Sequence, residues 1–107
     1  MRSAKLILEL LNGPLDGYKV TLETETFWSR KGEGPLVFPW DIELGNPQAR
    51  FFFEDGSWWL ESLPARHGTY RLNRENPERI EGKVKLETGD ILKASGTWLL
   101  VSQIKQD

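Results

Sequence analysis

The segment Ala49–Ser62, with the sequence ARFFFEDGSWWLES, sets the pattern for the rest of the chain. Two short stretches rich in aromatic residues flank Asp55 and Gly56, and a glycine supplies the positive φ that a tight hairpin turn needs. Aromatic residues favour the pleated surface of a sheet, so we predict a hairpin of two strands, Ala49–Glu54 and Trp58–Ser62.

The aromatic residues of this segment must divide between two faces, because neighbouring side chains in a strand point to opposite sides of the sheet. At least one phenylalanine of the run Phe51–Phe53 is therefore expected in the core. Among the tryptophans, we expect Trp59 and Trp98 in the core. Three others are expected near loops or on the alternate face: Trp28, Trp40 and Trp58.

The same alternation of apolar and polar residues recurs along the chain, and helical periodicity is nearly absent. Tyr18–Leu22 alternates in this way, and Ser95-Gly96 supplies a second hairpin turn. The ten predicted strands are 5–11, 18–22, 26–29, 36–38, 49–54, 58–62, 69–72, 84–87, 91–94 and 98–101. Ten short strands indicate an all-β sandwich or barrel. Turn-rich segments offer places for a binding site, namely 30–35, 45–48, 63–68 and 73–83.

Length and composition restrict the classes of function. The chain has 107 residues, a common size for one domain, so we expect a single domain over residues 1–107. Its 14 basic and 16 acidic residues give a net charge of -2, which does not favour binding to nucleic acid or to an anionic membrane. There is no cysteine, and the apolar run near the start is too short for a signal peptide or a membrane span. A cytoplasmic location is the resulting expectation, and the oligomeric state is left open.

The chain's only histidine, His67, lies in the sequence ARHGTY, residues 65–70. A catalytic triad would need one of the scattered serines beside it, and the Gly-x-Ser-x-Gly elbow is missing. Acidic residues do not follow the spacing of a known calcium loop, and a lone histidine without cysteine is a poor metal ligand set. We therefore expect no enzymatic activity, no metal and no cofactor. A turn residue bonded to nearby backbone is the favoured interpretation of His67.

The order of these segments resembles the forkhead-associated (FHA) domain over nearly the whole chain. LLNGPLDGYKVTLETETFWSR is similar to the family's first hairpin, which leads to a Gly-Arg pair. DIELGNPQARFFFEDGSWWLES is similar to its Asp-Ile-x-Leu stretch, Ser-Arg-x-His segment and following hairpin. ARHGTYRLN lies where the family has Ser-x-Asn-Gly-Thr, and VKLETGDILKASGTWLLV resembles its closing Leu-x-x-Gly-Asp-x-Ile and final strand.

The resemblance implies an antiparallel β-sandwich of about ten to eleven short strands, FHA/SMAD-like, with loops at one end that bind phosphothreonine peptides. It implies a protein or phosphothreonine peptide as partner and a role in signal transduction. By the same resemblance, the phosphopeptide-binding positions are Arg30, Ala49, Arg50, His67, Gly68 and Thr69, with Arg66 as a supporting residue.

Several of these positions depart from the family's pattern. Ala49 replaces the serine that binds phosphate, and Phe52 replaces the supporting histidine, whose space we expect it to fill. His67 replaces the asparagine that holds the peptide backbone, and Ser29 replaces a glycine. Because Ala49 has no side-chain donor, the loss of one hydrogen bond to a charged group is expected to cost about 1.5 to 3 kcal/mol of binding free energy.

Three hypotheses of function remain open. The first is a reader of phosphothreonine peptides through Arg30 and Arg50, with His67 near the peptide backbone. The second is a phosphate-independent interaction or assembly module on the same fold. The third is a carbohydrate-binding sandwich in which Trp40 and Trp58 stack on sugar rings.

Overall fold

A computed structural model describes residues 4–72 and 76–106. Every regular element in this part of the chain is a β-strand, so no helix here could cross a membrane. The strands are β1 Ala4–Leu10, β2 Lys19–Leu22, β3 Thr26–Trp28, β4 Ala49–Glu54, β5 Ser57–Ser62, β6 Thr69–Arg71, β7 Glu78–Arg79, β8 Lys83–Lys85, β9 Ile91–Ala94 and β10 Thr97–Gln106.

The strands form two antiparallel sheets, which confirms the predicted sandwich. One sheet has six strands in the order β2-β1-β10-β9-β6-β7, and the other has four in the order β3-β4-β5-β8. The two sheets face each other because strands such as β1, β2, β5 and β9 bury every second residue, and these buried residues form one shared core. In β1, for example, Leu6, Leu8 and Leu10 are buried while the residues between them are at least partly exposed. The core contains these leucines together with Trp28, Phe51 and other buried side chains.

Nine of the ten predicted strands overlap observed strands, and the prediction of a strand over residues 36–38 was wrong. That segment makes one isolated bridge between Ser29 and Val37, and prolines precede and follow it at positions 35 and 39. Leu36 and Phe38 are nevertheless fully buried, so their apolar character anchors a loop. The two-residue edge strand β7 lies in the segment 73–83, which we had predicted to be irregular.

The prediction for Trp58 and Trp59 was also wrong, because the residues of β5 that point inward are one position away from those expected, whereas Trp40 lies in a loop as predicted. Trp58 pairs with Phe53 and is 1% exposed, whereas Trp59 pairs with Phe52 and is half-buried on the outer face. Trp28 is fully buried, and Trp98 is 37% exposed. The alternation in the sequence alone cannot show which residues of β5 point into the core, since both faces of β4 and β5 carry aromatic residues.

One end of the sandwich collects the segments 11–18, 29–48, 63–68 and 95–96, which we call the loop end. The antiparallel register requires this grouping: β1, β3, β5 and β9 end there, and β2, β4, β6 and β10 begin there. Long segments are thus gathered above a rigid core, which is a common arrangement for binding sites.

Gly13 shows how tightly the loop end is packed. Its φ is +82°, and a Cβ built on it would lie 2.6 Å from the Trp40 ring. Gly17 has a similar φ of +87°, with no other atom within 4 Å of such a Cβ. Trp40 also contacts Phe38, with ring centroids 5.7 Å apart. The turn after β1 therefore supports the Trp40 ring directly.

We expect Gly17→Ala to lower the free energy of unfolding by about 1 to 2 kcal/mol, the cost of a left-handed conformation for a residue with a Cβ. Gly13→Ala should lower the free energy of unfolding by about 1 to 3 kcal/mol more than Gly17→Ala, because its methyl group also overlaps Trp40. Urea denaturation of both variants measures the difference. Equal losses would show that the contact between Gly13 and Trp40 does not constrain the loop end.

Candidate functional site

Arg30 lies at the loop end, two residues after the last residue of β3. Its backbone N–H donates to the carbonyl of Gly45 at 3.0 Å. Its side-chain Nε is buried without a hydrogen-bond partner, and within residues 4–72 and 76–106 its guanidinium forms no ion pair. A buried donor of a charged group is costly to leave unpaired. Arg30 is therefore a cation with free donors at the expected end of the sandwich.

Ser29, which stands where the FHA family has glycine, stabilises the backbone beside Arg30. The residue is buried, and its Oγ lies 2.7 Å from Asn46 Oδ1 and 2.9 Å from the carbonyl oxygen of Lys31. A hydroxyl has one proton, so it donates to one of these oxygens at a time. The bond to Asn46 holds the start of the loop 29–48 close to its own end, and the bond to Lys31 stabilises the turn that follows Ser29.

Gln48 connects two of the long loops. Its side chain is fully buried, and its Oε1 accepts a hydrogen bond from Gly45 N–H at 2.8 Å. Its Nε2 donates to the His67 carbonyl at 2.9 Å and to Thr69 Oγ1 at 3.0 Å. The loop that carries Arg30 and the loop that carries His67 are thus joined through one amide. The sequence offered no signal for this role.

Asp41 connects the same long loop to the β9–β10 hairpin. Its carboxylate is 6% exposed and accepts from Ser95 Oγ at 2.7 Å, from Gly96 N–H at 2.9 Å and from Thr97 Oγ1 at 2.7 Å. The FHA-like Asp-Ile-x-Leu stretch begins at Asp41, so the resemblance contained this residue but not its function. Leu44, at the end of that stretch, is buried in the core.

His67 and Arg66 are exposed on the loop 63–68 and share one carboxylate. Glu43 Oε2 lies 3.1 Å from Arg66 Nη1 and 3.9 Å from His67 Nε2. The His67 side chain is 50% exposed, and its carbonyl accepts from Gln48. His67 is thus a turn residue whose backbone is held by a buried amide and whose imidazole lies at the surface.

Gly68 and Thr69 have structural roles beside this turn. Thr69 is fully buried, and its hydroxyl accepts from Gln48. A Cβ on Gly68 would lie 3.1 Å from Arg79 Nε, so glycine leaves room for that guanidinium. The Gly-Thr pair thus shapes the turn.

Ala49 and Arg50 begin β4 and point in opposite directions. Ala49 is fully buried, so its methyl group contributes to the core. Arg50 lies on the outer face of the four-stranded sheet and bonds Glu25 at 2.7 Å and Glu61 at 2.9 Å. The hydrogen bond that Arg50 donates to Glu25 and the negative charge of Glu61 raise the pKa of Arg50 above its ordinary value. The structure gives Arg50 carboxylate partners, in contrast with Arg30.

Phe52 lies beneath Arg50, whose Cζ is 4.1 Å from the ring centroid. It is 7% exposed but belongs to the outer face, while Phe51 and not Phe52 belongs to the core cluster. Because Phe52 follows Arg50 by two residues along β4, this contact directs the guanidinium away from the start of β4 and hence away from the loop end. Arg50 and Arg30 therefore lie on different surfaces, Arg50 on the outer face of the four-stranded sheet and Arg30 at the loop end.

The structure contradicts the stacking of sugars on Trp40 and Trp58. Trp58 is 1% exposed and packs edge-on against Phe53, with ring centroids 5.8 Å apart. Trp40 is half-buried, and its ring is covered by Gly13 and Phe38. Sugar rings need flat, accessible aromatic faces, and these two side chains do not provide them together.

No model of a known protein family matches the chain, and no curated protein matches it. Solved structures do match it. An FHA domain of an Arabidopsis thaliana hypothetical protein superposes with a TM-score of 0.76 at 24% identity, covering 92% of this chain and 84% of that chain. An FHA domain from a structural and functional analysis of phosphothreonine-dependent interactions gives 0.72 at 17% identity, covering 96% and 95%. The FhaA FHA domain, complexed with the intracellular domain of Rv3910, gives 0.71 at 17% identity, covering 94% and 99%.

These similarities extend over most of each chain, and they establish the FHA fold for this protein. The fold prediction is thereby confirmed. Sequence identity at this level identifies a shared architecture, whereas function depends on the residues that this chain places at its own site.

Proposed function

We propose that residues 1–107 form one non-catalytic protein-interaction domain that binds a phosphothreonine peptide at the loop end. The observation that carries this proposal is Arg30, a cation with a buried, unpaired Nε and no carboxylate partner in the described part of the chain. It is supported by the FHA fold, since one structural neighbour comes from an analysis of phosphothreonine-dependent interactions. A cytoplasmic location is part of the same proposal, because a chain without cysteine needs no oxidising compartment.

Phosphate chemistry explains why Arg30 is the anchor in this proposal. A phosphothreonine carries about -1.5 to -2 charges at neutral pH and three acceptor oxygens. The planar guanidinium donates two parallel hydrogen bonds to such a group, which a single ammonium cannot reproduce. The Gly45 carbonyl accepts from the Arg30 N–H, and Gln48 in turn bonds Gly45. The Arg30 backbone is thus already ordered in the free protein, which lowers the conformational entropy lost when the peptide binds.

The remaining contacts differ from those that the family resemblance implies. Ala49 is buried and has no donor, and Arg50 is bound to Glu25 and Glu61. His67 is exposed beside Glu43 and is available to the segment that flanks the phosphate. The proposed site therefore depends on one arginine more strongly than a site with a phosphate-binding serine would.

Replacement of Arg30 tests this proposal. We expect Arg30→Ala to weaken binding of a phosphothreonine peptide by about 10-fold or more, since charge-assisted hydrogen bonds contribute about 1.5 to 3 kcal/mol. Arg30→Lys should restore only part of the affinity, because it keeps the charge and loses the fork. Calorimetry at low ionic strength, with Lys105→Ala as a control of equal charge at the opposite end, measures the effect.

A comparison with Arg50→Ala shows which of the two arginines binds the phosphate. We expect Arg50→Ala to change affinity less than Arg30→Ala, because its guanidinium is engaged by two carboxylates. Equal affinity of Arg30→Ala and the unmodified chain, with folding intact, would contradict the assignment of the phosphate to Arg30.

A second candidate function, a phosphate-independent contact, is favoured by one observation. Ile42 is 77% exposed at the loop end, next to the buried Asp41. An exposed isoleucine beside a residue that is hydrogen-bonded to the β9–β10 hairpin is suited to an apolar contact with a partner. If this candidate is correct, phosphorylated and unphosphorylated forms of a peptide should bind equally, and Ile42→Ser should weaken both.

A further inference from the structure

A cleft of about 610 Å³ lies on the outer face of the six-stranded sheet, beside the turn that carries His67. Its lining includes four basic side chains, together with Tyr70 and Ser95. The basic residues are Arg66, His67, Arg79 and Lys93. No acidic residue among those that the structure describes lines it. We propose that this cleft binds an acidic side chain of an extended peptide, separately from the phosphate site at Arg30.

The strand register places the central residues of the cleft in one row. Tyr70 in β6 pairs with Arg79 in β7 on one side and with Lys93 in β9 on the other. Directly paired residues of antiparallel strands project from the same face. Thr69, the preceding residue, is fully buried, so Tyr70 and its two cationic neighbours point outward. Two cations therefore flank one half-buried tyrosine.

Arg79 and Lys93 differ from other cations of the chain in their lack of partners. Among the described residues, no ion pair or hydrogen bond engages either side chain, while Arg50, Arg71 and Lys83 are each paired with carboxylates. Glu43 partly offsets Arg66 and His67, which lie at the mouth of the cleft. The uncompensated positive charge is thus concentrated at Arg79 and Lys93, where an oxyanion would bind most favourably.

Gly68 joins this cleft to the loop end. Because it has no side chain, Arg79 lies against the backbone of the turn, with Nε 3.1 Å from the position of a Cβ. The guanidinium therefore lies between the loop 63–68 and the outer face of the sheet. An extended peptide held near His67 can continue onto this row.

The positive charge of the lining indicates which class of ligand the cleft binds. A lining of cations with a tyrosine hydroxyl and a serine hydroxyl matches a carboxylate or a second phosphate, and both are oxyanions that accept several hydrogen bonds. The overall charge of the chain is -2, so the cleft is a local feature and not part of a general basic surface. An acidic peptide segment fits it better than nucleic acid. This inference rests on the proposed function only in taking the ligand to be a peptide.

The test uses the full chain and peptides that contain no phosphothreonine. It follows the amides of the cleft, so that phosphate bound at Arg30 is detected separately at residues 29–31. Three peptides of one length carry glutamate, phosphoserine or glutamine at the same positions. In ¹H–¹⁵N spectra at low salt, we expect the acidic peptides to shift the amides of Gly68, Tyr70 and Lys93, and the glutamine peptide to leave them unchanged. A response to phosphoserine alone would assign the cleft to phosphate, and a response to both would assign it to acidic side chains in general.

Variants locate the interaction. Arg79→Gln and Lys93→Gln should each weaken binding of the acidic peptide by about 2- to 5-fold, the range of a partly exposed ion pair. Lys105→Gln, at the far end of β10, should have no effect. The same result is expected in an Arg30→Ala background, which separates this site from the proposed phosphothreonine site. Equal shifts with the glutamine peptide, or tighter binding of a DNA oligonucleotide at the same amides, would overturn the proposal.

Discussion

Asp41→Ala is expected to lower the free energy of unfolding by about 3 to 5 kcal/mol, because the change leaves three donors without their shared acceptor. The carboxylate lies almost fully buried between the loop 29–48 and the β9–β10 hairpin. Thr97 is itself fully buried, so water cannot replace the lost oxygen at that hydroxyl without a rearrangement. Urea denaturation at neutral pH measures this loss.

Two further variants separate the role of Asp41 from a general effect of lost charge. Asp16→Ala removes an exposed carboxylate from the turn after β1 and should change stability by about 0.5 kcal/mol or less. Asp41→Asn keeps the shape and one acceptor oxygen but turns an amide NH₂ toward the donors. Its loss of unfolding free energy should therefore lie between those of Asp41→Ala and Asp16→Ala. A loss in Asp41→Ala no greater than in Asp16→Ala would show that this carboxylate does not hold the hairpin.

Gln48→Leu should lower the free energy of unfolding by about 2 to 4 kcal/mol, since a buried amide that serves three groups is replaced by an apolar chain of similar size. The Gly45 N–H, the His67 carbonyl and the Thr69 hydroxyl all lose their partner. The two loops are then joined less firmly, so we expect weaker peptide binding as well. Denaturation and a peptide titration on the same variant measure both effects.

Gln103→Leu is the matched control, because Gln103 is exposed on β10 and the same atoms are changed. We expect it to stay within about 0.5 kcal/mol of the unmodified chain. If Gln48→Leu retained both its stability and its affinity for the peptide, the amide would not be the link between the loops of Arg30 and His67.

Local sequence patterns were sufficient to predict most of the fold. Alternation along β1 and β2 and the turns at Asp55-Gly56 and Ser95-Gly96 located the main strands, because a half-buried sheet imposes a period of two. The pattern failed where both faces carry large apolar residues. Trp58 and Trp59 are chemically identical neighbours, and only the pairing of Trp58 with Phe53 decides which one is buried.

The candidate site was less predictable. The resemblance located Arg30, His67, Gly68 and Thr69 at the loop end, but it could not indicate that Arg50 is held by Glu25 and Glu61. Glu25 is distant in sequence and precedes β3, and Glu61 lies opposite Arg50 only in the observed register of β4 and β5. Gln48 was missed for the same reason, since a buried glutamine is recognised by the three groups around it and not by its neighbours along the chain.

The position of Arg79 shows a further limit of sequence patterns. It lies in a segment that we had predicted to be irregular, and its strand has two residues. Its closeness to Gly68 depends on the pairing of β6 with β7, in which Tyr70 lies opposite Arg79. A charged residue in a turn-rich stretch is ordinarily solvated, so the cleft was visible only once the register was known.

Phosphate binding by Arg30 is best tested by an NMR titration that follows the Arg30 side-chain Nε–H signal. The labelled chain is titrated with a mixture of phosphothreonine peptides and with the same mixture without phosphate, at low salt. We predict that the phosphorylated mixture shifts this signal and the backbone amides of residues 29–31, while the unphosphorylated mixture leaves them in place. Identical responses to the two mixtures would show that Arg30 does not recognise the phosphate and would favour a contact that does not require it.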